Sequence, residues 1–264
     1  MQRRFLIARA TLVAAAMLAA AGAQAQAPEW KKIRIGVEGA YPPFSEVGAD
    51  GKLKGFEIDL ANALCAQMKA ECTLVQQDFD GLIPALQSRK VDAIIASMSI
   101  TDERKKVIAF SNPYYNTPAR FTAKADAKFD FSPAGLKGKK IGVQRATIHE
   151  KFAADTFKQS EIVRYATQDQ AFLDLKSGRV DLTLADMVAT DMGFIQTPAG
   201  KGYEMVGPEY NDPKYFGVGV GVGLRKQDEK TLAKKFNDGI AALKANGEFK
   251  KLNDKYFKYD ISVK

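Results

Sequence analysis

Two stretches of the chain alternate short apolar segments with amphipathic ones. From residue 32 the first stretch predicts strand, helix, strand, helix and strand, in the segments IRIGV, FEIDLANALCAQMK, CTLVQQ, LIPALQSRK and VDAIIASMS. In the first predicted helix, at 56–69, most apolar side chains fall on one face. This alternation is typical of an α/β fold in which helices cover both faces of a mostly parallel sheet and ligands bind at the carboxyl ends of the strands.

The second stretch repeats the arrangement after a loop rich in charge and proline. It predicts a strand in LKGKKIGVQ, a helix from about Thr147, a strand in EIVRYA, a helix around AFLDLKSGR and a strand in VDLTLAD. YFGVGVGVGLRK then predicts a glycine-rich strand, since its glycines do not satisfy the GxGxxG spacing of a dinucleotide-binding loop. The last predicted elements are amphipathic helices in LAKKFNDGIAALKANGEFKKLNDKYF. If the glycine-rich strand returns to the first unit, the chain crosses between two lobes twice, and a hinge follows from that layout.

Residues 1–25 have the composition of a secretory signal. Three arginines precede an alanine-rich apolar run, which ends in small residues that suit a signal peptidase. A retained signal anchor is the alternative, but Gly22 and the small residues up to Ala25 favour cleavage after Ala25. No cysteine is available there for lipid attachment. We therefore expect the exported chain to be free and soluble.

Charge and cysteine content narrow the classes of function. The formal net charge of +8 falls to +5 when the three signal arginines are removed. Basic and acidic residues are interspersed along most of the chain, which favours a solvated mixed surface over nucleic-acid binding. Cys65 and Cys72 are the only cysteines, and an oxidising compartment normally joins such a pair in a disulfide. A metal or redox site would call for a CxxC spacing or histidine neighbours, and the sequence has neither.

Polar residues at the end of the strand VDAIIASMS indicate a binding site. Ser97 and Ser99 end the strand, and Ser99 and Asp102 have the spacing of a capping box that opens a helix. Free backbone N–H groups and the helix dipole attract an anion at such a place. Arg104 adds a planar guanidinium that suits a carboxylate. The alternative is an ordinary capped helix with a surface arginine.

A second helix start follows the strand LKGKKIGVQ. Thr147 and Glu150 again have the capping-box spacing, so both predicted lobes offer N–H groups to an anion. A small carboxylate held between the lobes would contact each of them, and closure of the lobes would complete its site.

These residues and their order resemble a known family. The motifs IRIGVEGAYPPF, GFEIDLANALC, DFDGLIPAL, DAIIASMSITDER, PYY, LKGKKIGVQ, SGRVDLTLAD, YFG and VGLRK are similar, in order, to the periplasmic amino-acid-binding proteins of ABC importers, specifically the lysine/arginine/ornithine, histidine, arginine and opine binders. The resemblance implies a two-lobed type II periplasmic-binding-protein fold with a two-strand hinge. Lobe one would comprise 26–117 and 216–264, and lobe two 118–215.

The resemblance also implies a function and a location. It implies a monomeric periplasmic protein that captures a cationic L-amino acid by cleft closure for an ABC permease, with no cofactor, no metal and no catalysis. In that reading the α-carboxylate of the ligand meets Arg104 and the amides of Ser99 and Ile148. The α-ammonium meets the Ser97 carbonyl, the Ser99 hydroxyl and Asp186. Asp186 is alternatively a helix N-cap, and the two roles can coexist.

Selectivity for the ligand side chain is expected at Glu38, Tyr41 and Phe79. A carboxylate at Glu38 would pair with a guanidinium or ammonium, and the rings would hold the stem between them. The alternatives are a solvated glutamate and two core aromatics. The candidate ligand-binding residues are Glu38, Tyr41, Phe79, Ala96, Ser97, Met98, Ser99, Arg104, Gln144, Thr147, Ile148, His149 and Asp186.

Three of these positions depart from the lysine/arginine/ornithine pattern. Ala96 stands where that subgroup often has serine, Gln144 where it has an apolar residue, and His149 where it has glutamine. The preferred ligand thus stays open among arginine, lysine, ornithine, histidine and an opine. His149, the only histidine, is expected either to line the pocket or to lie on the surface, and alone it cannot form a usual multi-histidine metal site.

Two other functions remain open from the sequence. Dehydratases share this architecture, and Glu38 or His149 would be the general acid in such an enzyme. The sequence has no G-x-S-x-G, H-E-x-x-H or Walker motif, which favours a binding protein. A sensor subunit that presents its ligand to a receptor rather than to a permease would have the same features.

Overall fold

The structure is a computed structural model that describes residues 30–263. The secretory signal expected at residues 1–25 lies outside the described residues, and its cleavage after Ala25 stays a prediction.

Strands and helices alternate along the described chain in the predicted order. The strands are Lys32–Val37 (β1), Ala40–Tyr41 (β2), Ser45–Val47 (β3), Leu53–Lys54 (β4), Glu71–Gln76 (β5), Ala93–Ile94 (β6), Ala109–Phe110 (β7), Ala119–Lys124 (β8), Lys140–Gln144 (β9), Glu161–Tyr165 (β10), Leu182–Asp186 (β11), Tyr203–Tyr210 (β12) and Gly223–Leu224 (β13). The α-helices are Phe56–Gln67 (α1), Phe79–Gln87 (α2), Asp102–Lys105 (α3), Ile148–Thr156 (α4), Gln168–Lys176 (α5), Met187–Thr190 (α6), Pro213–Phe216 (α7), Lys234–Ala245 (α8) and Glu248–Tyr256 (α9). Short 3-10 or π-helical segments are Asp191–Ile195, Pro198–Gly200, Lys226–Asp228 and Glu229–Ala233.

Two five-stranded sheets organise most of these elements, and β2, β3 and β4 form a separate three-stranded sheet. Sheet one has the order β5-β1-β6-β13-β7, and sheet two has the order β10-β9-β11-β8-β12. In sheet one, β13 is antiparallel to both of its neighbours, and in sheet two β8 is antiparallel to both of its own. The other pairs are parallel. Four of the five strands in each sheet therefore run in one direction, which confirms the predicted α/β fold with mostly parallel sheets.

Each sheet has helices packed on both faces. In sheet one, α1 and the C-terminal helices α8 and α9 share one hydrophobic cluster, while α2 belongs to another. In sheet two, α4 and α5 belong to separate clusters. Because each sheet has its own apolar core, each can form one lobe of a two-lobed molecule.

Helix α1 begins at a position that the backbone fixes. Gly55 precedes it with a φ of +126°, and a Cβ there would lie 2.4 Å from the carbonyl oxygen of Phe44. Only glycine tolerates both that conformation and that approach. Phe56, the first helical residue, is then fully buried against the rings of Phe44, Tyr115 and Phe257. This packing fixes the direction of the first turn of α1.

The chain passes between the sheets twice, at 111–118 and at 211–222. The two crossings lie side by side: the Val220 N–H donates to the Tyr115 carbonyl at 2.8 Å, and the Tyr114 N–H donates to the Val220 carbonyl at 2.9 Å. This pairing provides the two-strand connection that the sequence predicted.

The glycine-rich segment departs from the prediction of one continuous strand. Asp212 caps a helical turn that begins with Pro213, and the turn ends at Gly217, whose φ is +75°. A left-handed residue interrupts a strand, so only Gly223–Leu224 pairs as β-structure within sheet one. Phe216, at the end of this turn, packs against Phe152 of sheet two's core.

The predicted disulfide is confirmed between Cys65 and Cys72, with an S–S distance of 2.03 Å. It joins the last turn of α1 to β5, the edge strand of sheet one. Replacing both cysteines with serine should lower the free energy of unfolding by about 2–3 kcal/mol, because the short closed loop restricts the unfolded chain. Urea unfolding of the oxidised protein and of the double variant measures this difference.

Ligand affinity provides the control for that variant. Neither cysteine lines the cavity described below, so the affinity should stay within about twofold of the parent value. A stability loss under about 1 kcal/mol would contradict the expectation.

Candidate functional site

A cavity lies between the two sheets, where the carboxyl ends of β1 and β6 face those of β9 and β11. The empty space among its lining residues, including open solvent at the mouth, is about 550 Å³. The lining residues are Glu38, Tyr41, Phe79, Ala96, Ser97, Ser99, Arg104, Tyr115, Asn116, Thr117, Gln144, Thr147, Ile148, His149, Asp186, Phe216 and Val220. Every sequence-predicted site residue lines this cavity except Met98.

Met98 is a correction to the predicted set. Its side chain is buried in the cluster formed by Phe79, Leu82 and Ile94 on one face of sheet one. Met98 therefore packs in the core of sheet one, whereas its chain neighbours Ser97 and Ser99 line the cavity.

Sequence reasoning missed the cavity residues that come from the two crossings. Tyr115, Asn116 and Thr117 belong to the first crossing, and Phe216 and Val220 belong to the second. The two predicted crossings could have identified these residues, because segments that pass between two lobes must border the space between them.

The guanidinium of Arg104 lies where the two sheets meet. One of its nitrogens donates to the Ser99 carbonyl at 3.0 Å, and another donates to the carbonyl of Ala146, in sheet two's half of the site, at 3.2 Å. It also lies over the Phe79 ring, 5.5 Å from the centroid. Burial lowers the pKa of Arg104 to about 10, so the group remains a cation at neutral pH. The alternative of a surface arginine is wrong.

The helix that carries Arg104 starts later than the sequence predicted. Its N-cap is Thr101, whose hydroxyl accepts from the Arg104 N–H at 3.2 Å. Ser99 instead pairs with Val220 of the second crossing, which keeps residue 99 extended. The capping role predicted for Ser99 is therefore wrong, although Ser99 does line the cavity.

The second predicted helix start is confirmed. The Thr147 hydroxyl accepts from the Glu150 N–H at 3.1 Å, and the Glu150 carboxylate accepts from the Ala146 N–H at 2.6 Å. Ile148 is the first residue of α4, so its N–H belongs to the free amides of a helix start. His149 is buried against Phe216, and burial together with the charge of Arg104 lowers its pKa to about 3. The imidazole is thus neutral.

Asp186 ends β11 and caps the next helix. One carboxylate oxygen accepts from the N–H groups of Val188 and Ala189, at 2.8 and 3.0 Å, and the other accepts from the Thr117 hydroxyl. Burial raises the pKa of Asp186 to about 6 despite these donors. The predicted alternative of an N-cap is therefore confirmed, and the same carboxylate also lines the cavity.

Glu38 directly follows β1 and is 5% exposed. Its carboxylate accepts from the Gln144 amide, which comes from sheet two, at 2.5 Å. Burial, and to a smaller extent the charges of Glu57, Asp169 and Asp78, raise the pKa of Glu38 to about 7 against the lowering effect of Gln144. The alternative of a solvated glutamate is wrong. Tyr41 and Phe79 are buried as core aromatics are, yet both also line the cavity.

The charges in the wall do not balance. Arg104 is the cation in the lining, while Glu38 and Asp186 are carboxylates. Each carboxyl has a raised pKa, because no cation compensates its charge where water is excluded. Such a wall is complementary to a ligand with one carboxylate and two cationic groups.

Comparison with known proteins agrees with the fold. The family model of bacterial extracellular solute-binding proteins, family 3, matches residues 33–259. The chain belongs to this family. It is 52% identical over 233 residues to the L-arginine-binding protein of Pseudomonas aeruginosa, which covers 88% of this chain and 90% of the relative. It is 42% identical over 244 residues to the lysine/arginine/ornithine-binding periplasmic protein of Escherichia coli, covering 92% and 93% of the two chains.

A solved structure in this family supports the same fold. An arginine-specific periplasmic binding protein from Salmonella typhimurium superimposes with a TM-score of 0.79 at 34% identity, covering 86% of this chain and all of that one. Within residues 30–263, none of the helices has both the length and the apolar character needed to cross a bilayer.

The raised pKa of Glu38 predicts a dependence of stability on pH. A carboxyl with a pKa of about 7 when folded and 4.5 as its reference value binds its proton more tightly in the folded state. Its contribution to stability is therefore largest below pH 4.5 and is lost as the pH rises through 7. Glu38→Gln removes this loss and keeps an acceptor for Gln144. The ligand-free variant should be more stable than the parent by about 3 kcal/mol at pH 8 and nearly equal at pH 4.

Urea unfolding of both ligand-free proteins at the two pH values measures this difference. An equal difference at pH 4 and pH 8 would show that the substitution acts through packing and not through the charge of Glu38.

Proposed function

We propose that this protein is the periplasmic substrate-binding component of an ABC importer and captures a cationic L-amino acid between its lobes. The observation that carries the proposal is the arrangement of charge around the buried cavity, with one guanidinium, Arg104, and two uncompensated carboxylates, Glu38 and Asp186. An amino acid with a cationic side chain supplies one partner for each of them.

Each end of the ligand has a place in this arrangement. The α-carboxylate would bind Arg104, whose five N–H donors exceed the two hydrogen bonds it makes to carbonyls. The amides of Ser99 and Ile148 would complete that end. The α-ammonium would bind Asp186, with the Ser97 carbonyl and the Ser99 hydroxyl as acceptors.

The ligand side chain would extend toward Glu38. Its cationic end would pair with that carboxylate and replace part of the hydration lost on burial. Tyr41 and Phe79 would hold the aliphatic stem or stack on a guanidinium. The names of the relatives, which bind arginine, or lysine, arginine and ornithine, make L-arginine the first ligand to test.

We place the mature protein in the periplasm after cleavage near Ala25, as a monomer that delivers its ligand to a permease. Lobe one would comprise 26–117 and 216–264, and lobe two 118–215. Phe216 lies at this boundary and packs in the core of sheet two.

Binding without catalysis is part of the proposal. His149 has a pKa of about 3, so its imidazole is neutral at neutral pH and lacks the imidazolium proton that a general acid would transfer. Glu38 has the raised pKa that a general acid needs, so an enzymatic role is tested by incubating the protein with prephenate-like substrates, where turnover would contradict the proposal. Neighbouring genes for a permease and an ATPase would separate an importer subunit from a sensor.

The proposal predicts strong dependence of affinity on Glu38. Isothermal titration calorimetry should show binding of L-arginine, and Glu38→Gln should weaken it about tenfold to a hundredfold, because the ligand cation loses its charged partner. A thermal-shift panel with lysine, ornithine, histidine and an opine would rank the other candidates, since a ligand at about 100 times its dissociation constant stabilises by about 2.7 kcal/mol.

L-citrulline, the uncharged isostere of L-arginine, is the matched control ligand. The affinities of the parent protein and of Glu38→Gln for L-citrulline should differ by less than about threefold, because this ligand has no side-chain cation to pair with Glu38. An unchanged affinity of the variant for arginine would reject the role of Glu38. If none of the ligands in the panel binds to the parent protein, the proposed ligand class is rejected.

The affinity for L-arginine should also depend on pH. Binding requires the ionised forms of Glu38 and Asp186, whose pKa values of about 7 and about 6 lie above their usual range, so a cationic ligand releases protons as it binds. We expect affinity to fall at least about tenfold between pH 8 and pH 5.5. Calorimetry at both pH values checks this, and Glu38→Gln should show a shallower dependence. Equal affinities of the parent protein at the two pH values would contradict the expectation.

A further inference from the structure

A third buried carboxylate lies behind the cavity wall. Glu57, in the first turn of α1, has no exposed surface. One of its oxygens accepts from the N–H and the hydroxyl of Ser97, at 2.7 and 3.0 Å, and the other accepts from the Tyr114 hydroxyl at 2.5 Å. Glu57 lies outside the predicted site residues, and the proposed ligand contacts do not use it.

The partner of Glu57 has an unusual backbone. Ser97 has a φ of +51°, a left-handed conformation that is unfavourable for a residue with a Cβ. Such a conformation persists only where surrounding contacts hold it. The two hydrogen bonds from Ser97 to Glu57 are contacts of that kind, and Ser97 itself lines the cavity.

The other partner of Glu57 leads to the same part of the site. Tyr114 belongs to the first crossing, whose next residues line the cavity, and Thr117 in that segment donates to Asp186. Glu57 thus contacts the segments that position Ser97 and Asp186, two of the groups proposed for the α-ammonium. Asp186 is also among the charges that raise the pKa of Glu57.

We infer that Glu57 is a positioning residue for recognition of the ligand's α-ammonium group, because it holds Ser97 in the left-handed conformation that its carbonyl needs to accept from that ammonium. The inference rests on the proposed function, since it assumes an α-amino acid in the cavity. Glu57 does not touch the ligand in this arrangement and acts through Ser97.

The test compares two ligands that differ only in the α-amino group. L-arginine carries it, and 5-guanidinopentanoic acid is the same molecule without it. Glu57→Gln removes the negative charge that strengthens the hydrogen bonds from Ser97, and it leaves one acceptor oxygen in place of two. Calorimetry measures both affinities, by competition for the weaker ligand. In Glu57→Gln the affinity for L-arginine should fall about tenfold, and the affinity for the analogue should change by less than about twofold.

A second substitution tests whether Glu57 acts through the backbone of Ser97. Glycine adopts positive φ without the cost that a Cβ brings. Adding Ser97→Gly to Glu57→Gln should therefore recover at least about threefold of the lost affinity for L-arginine. No recovery would overturn the positioning role, and so would equal losses for both ligands or an unchanged affinity for L-arginine.

Asp59→Asn is the matched control. Asp59 lies in the same turn of α1 and also accepts from a tyrosine, Tyr256, and from Lys255, but these partners belong to α9 and not to the cavity. This variant has the same change of charge and should leave the ratio of the two affinities unchanged. A shift of that ratio equal to that of Glu57→Gln would overturn the inference.

Tyr114→Phe is the substitute test variant if Glu57→Gln does not fold. It removes one hydrogen bond to the same carboxylate and should shift the ratio in the same direction by about threefold, and an unchanged ratio would overturn the inference. A parent protein that fails to bind L-arginine would reject the proposed function. A parent that binds it, with variants whose ratio does not move, would reject only the role of Glu57.

Discussion

A carboxylate removed from water is unfavourable unless a cation compensates it, and the cavity depends on this constraint. Glu38, Asp186 and Glu57 all have raised pKa values, chiefly because they are buried, while burial lowers the pKa of Arg104. Each group thus lies where its charge is costly and where an oppositely charged ligand group gains most from pairing with it. A ligand that leaves one carboxylate unpaired also leaves that cost in place, which is a physical basis for discrimination against neutral amino acids.

The charged groups belong to different parts of the fold. Glu38 and Arg104 come from sheet one, whereas Asp186 and the start of α4 come from sheet two. The site is therefore complete only while the two sheets face each other. Contacts across the cleft hold this arrangement, including the Gln144 amide on Glu38 at 2.5 Å and Arg145 with Asp80 at 2.6 Å. A ligand that bridges the same groups would favour the same closed arrangement, because it contacts both sides at once.

Two similar local sequences in this chain had different outcomes. Thr147 and Ser99 both begin a capping-box spacing, and only Thr147 caps a helix. Residues near Thr147 satisfy one another locally, through Glu150 and Ala146. Ser99 pairs instead with Val220, 121 positions along the chain. A local pattern predicts a local hydrogen bond well, but it cannot exclude a distant partner that binds the same backbone.

The sequence alone determined the alternation of strands and helices and the strand-end polar residues around the cavity, because hydrophobic periodicity and residue spacing are properties of short stretches of chain. It also determined the disulfide between Cys65 and Cys72, because these are the only two cysteines of a chain expected in an oxidising compartment. Only the tertiary structure decided which side chains are buried. Met98 lies in the core, Glu38 is buried in the cavity wall, and Glu57 is buried next to Ser97. Burial depends on elements that approach one another from distant parts of the chain, and it is burial that sets the charge balance of the cavity.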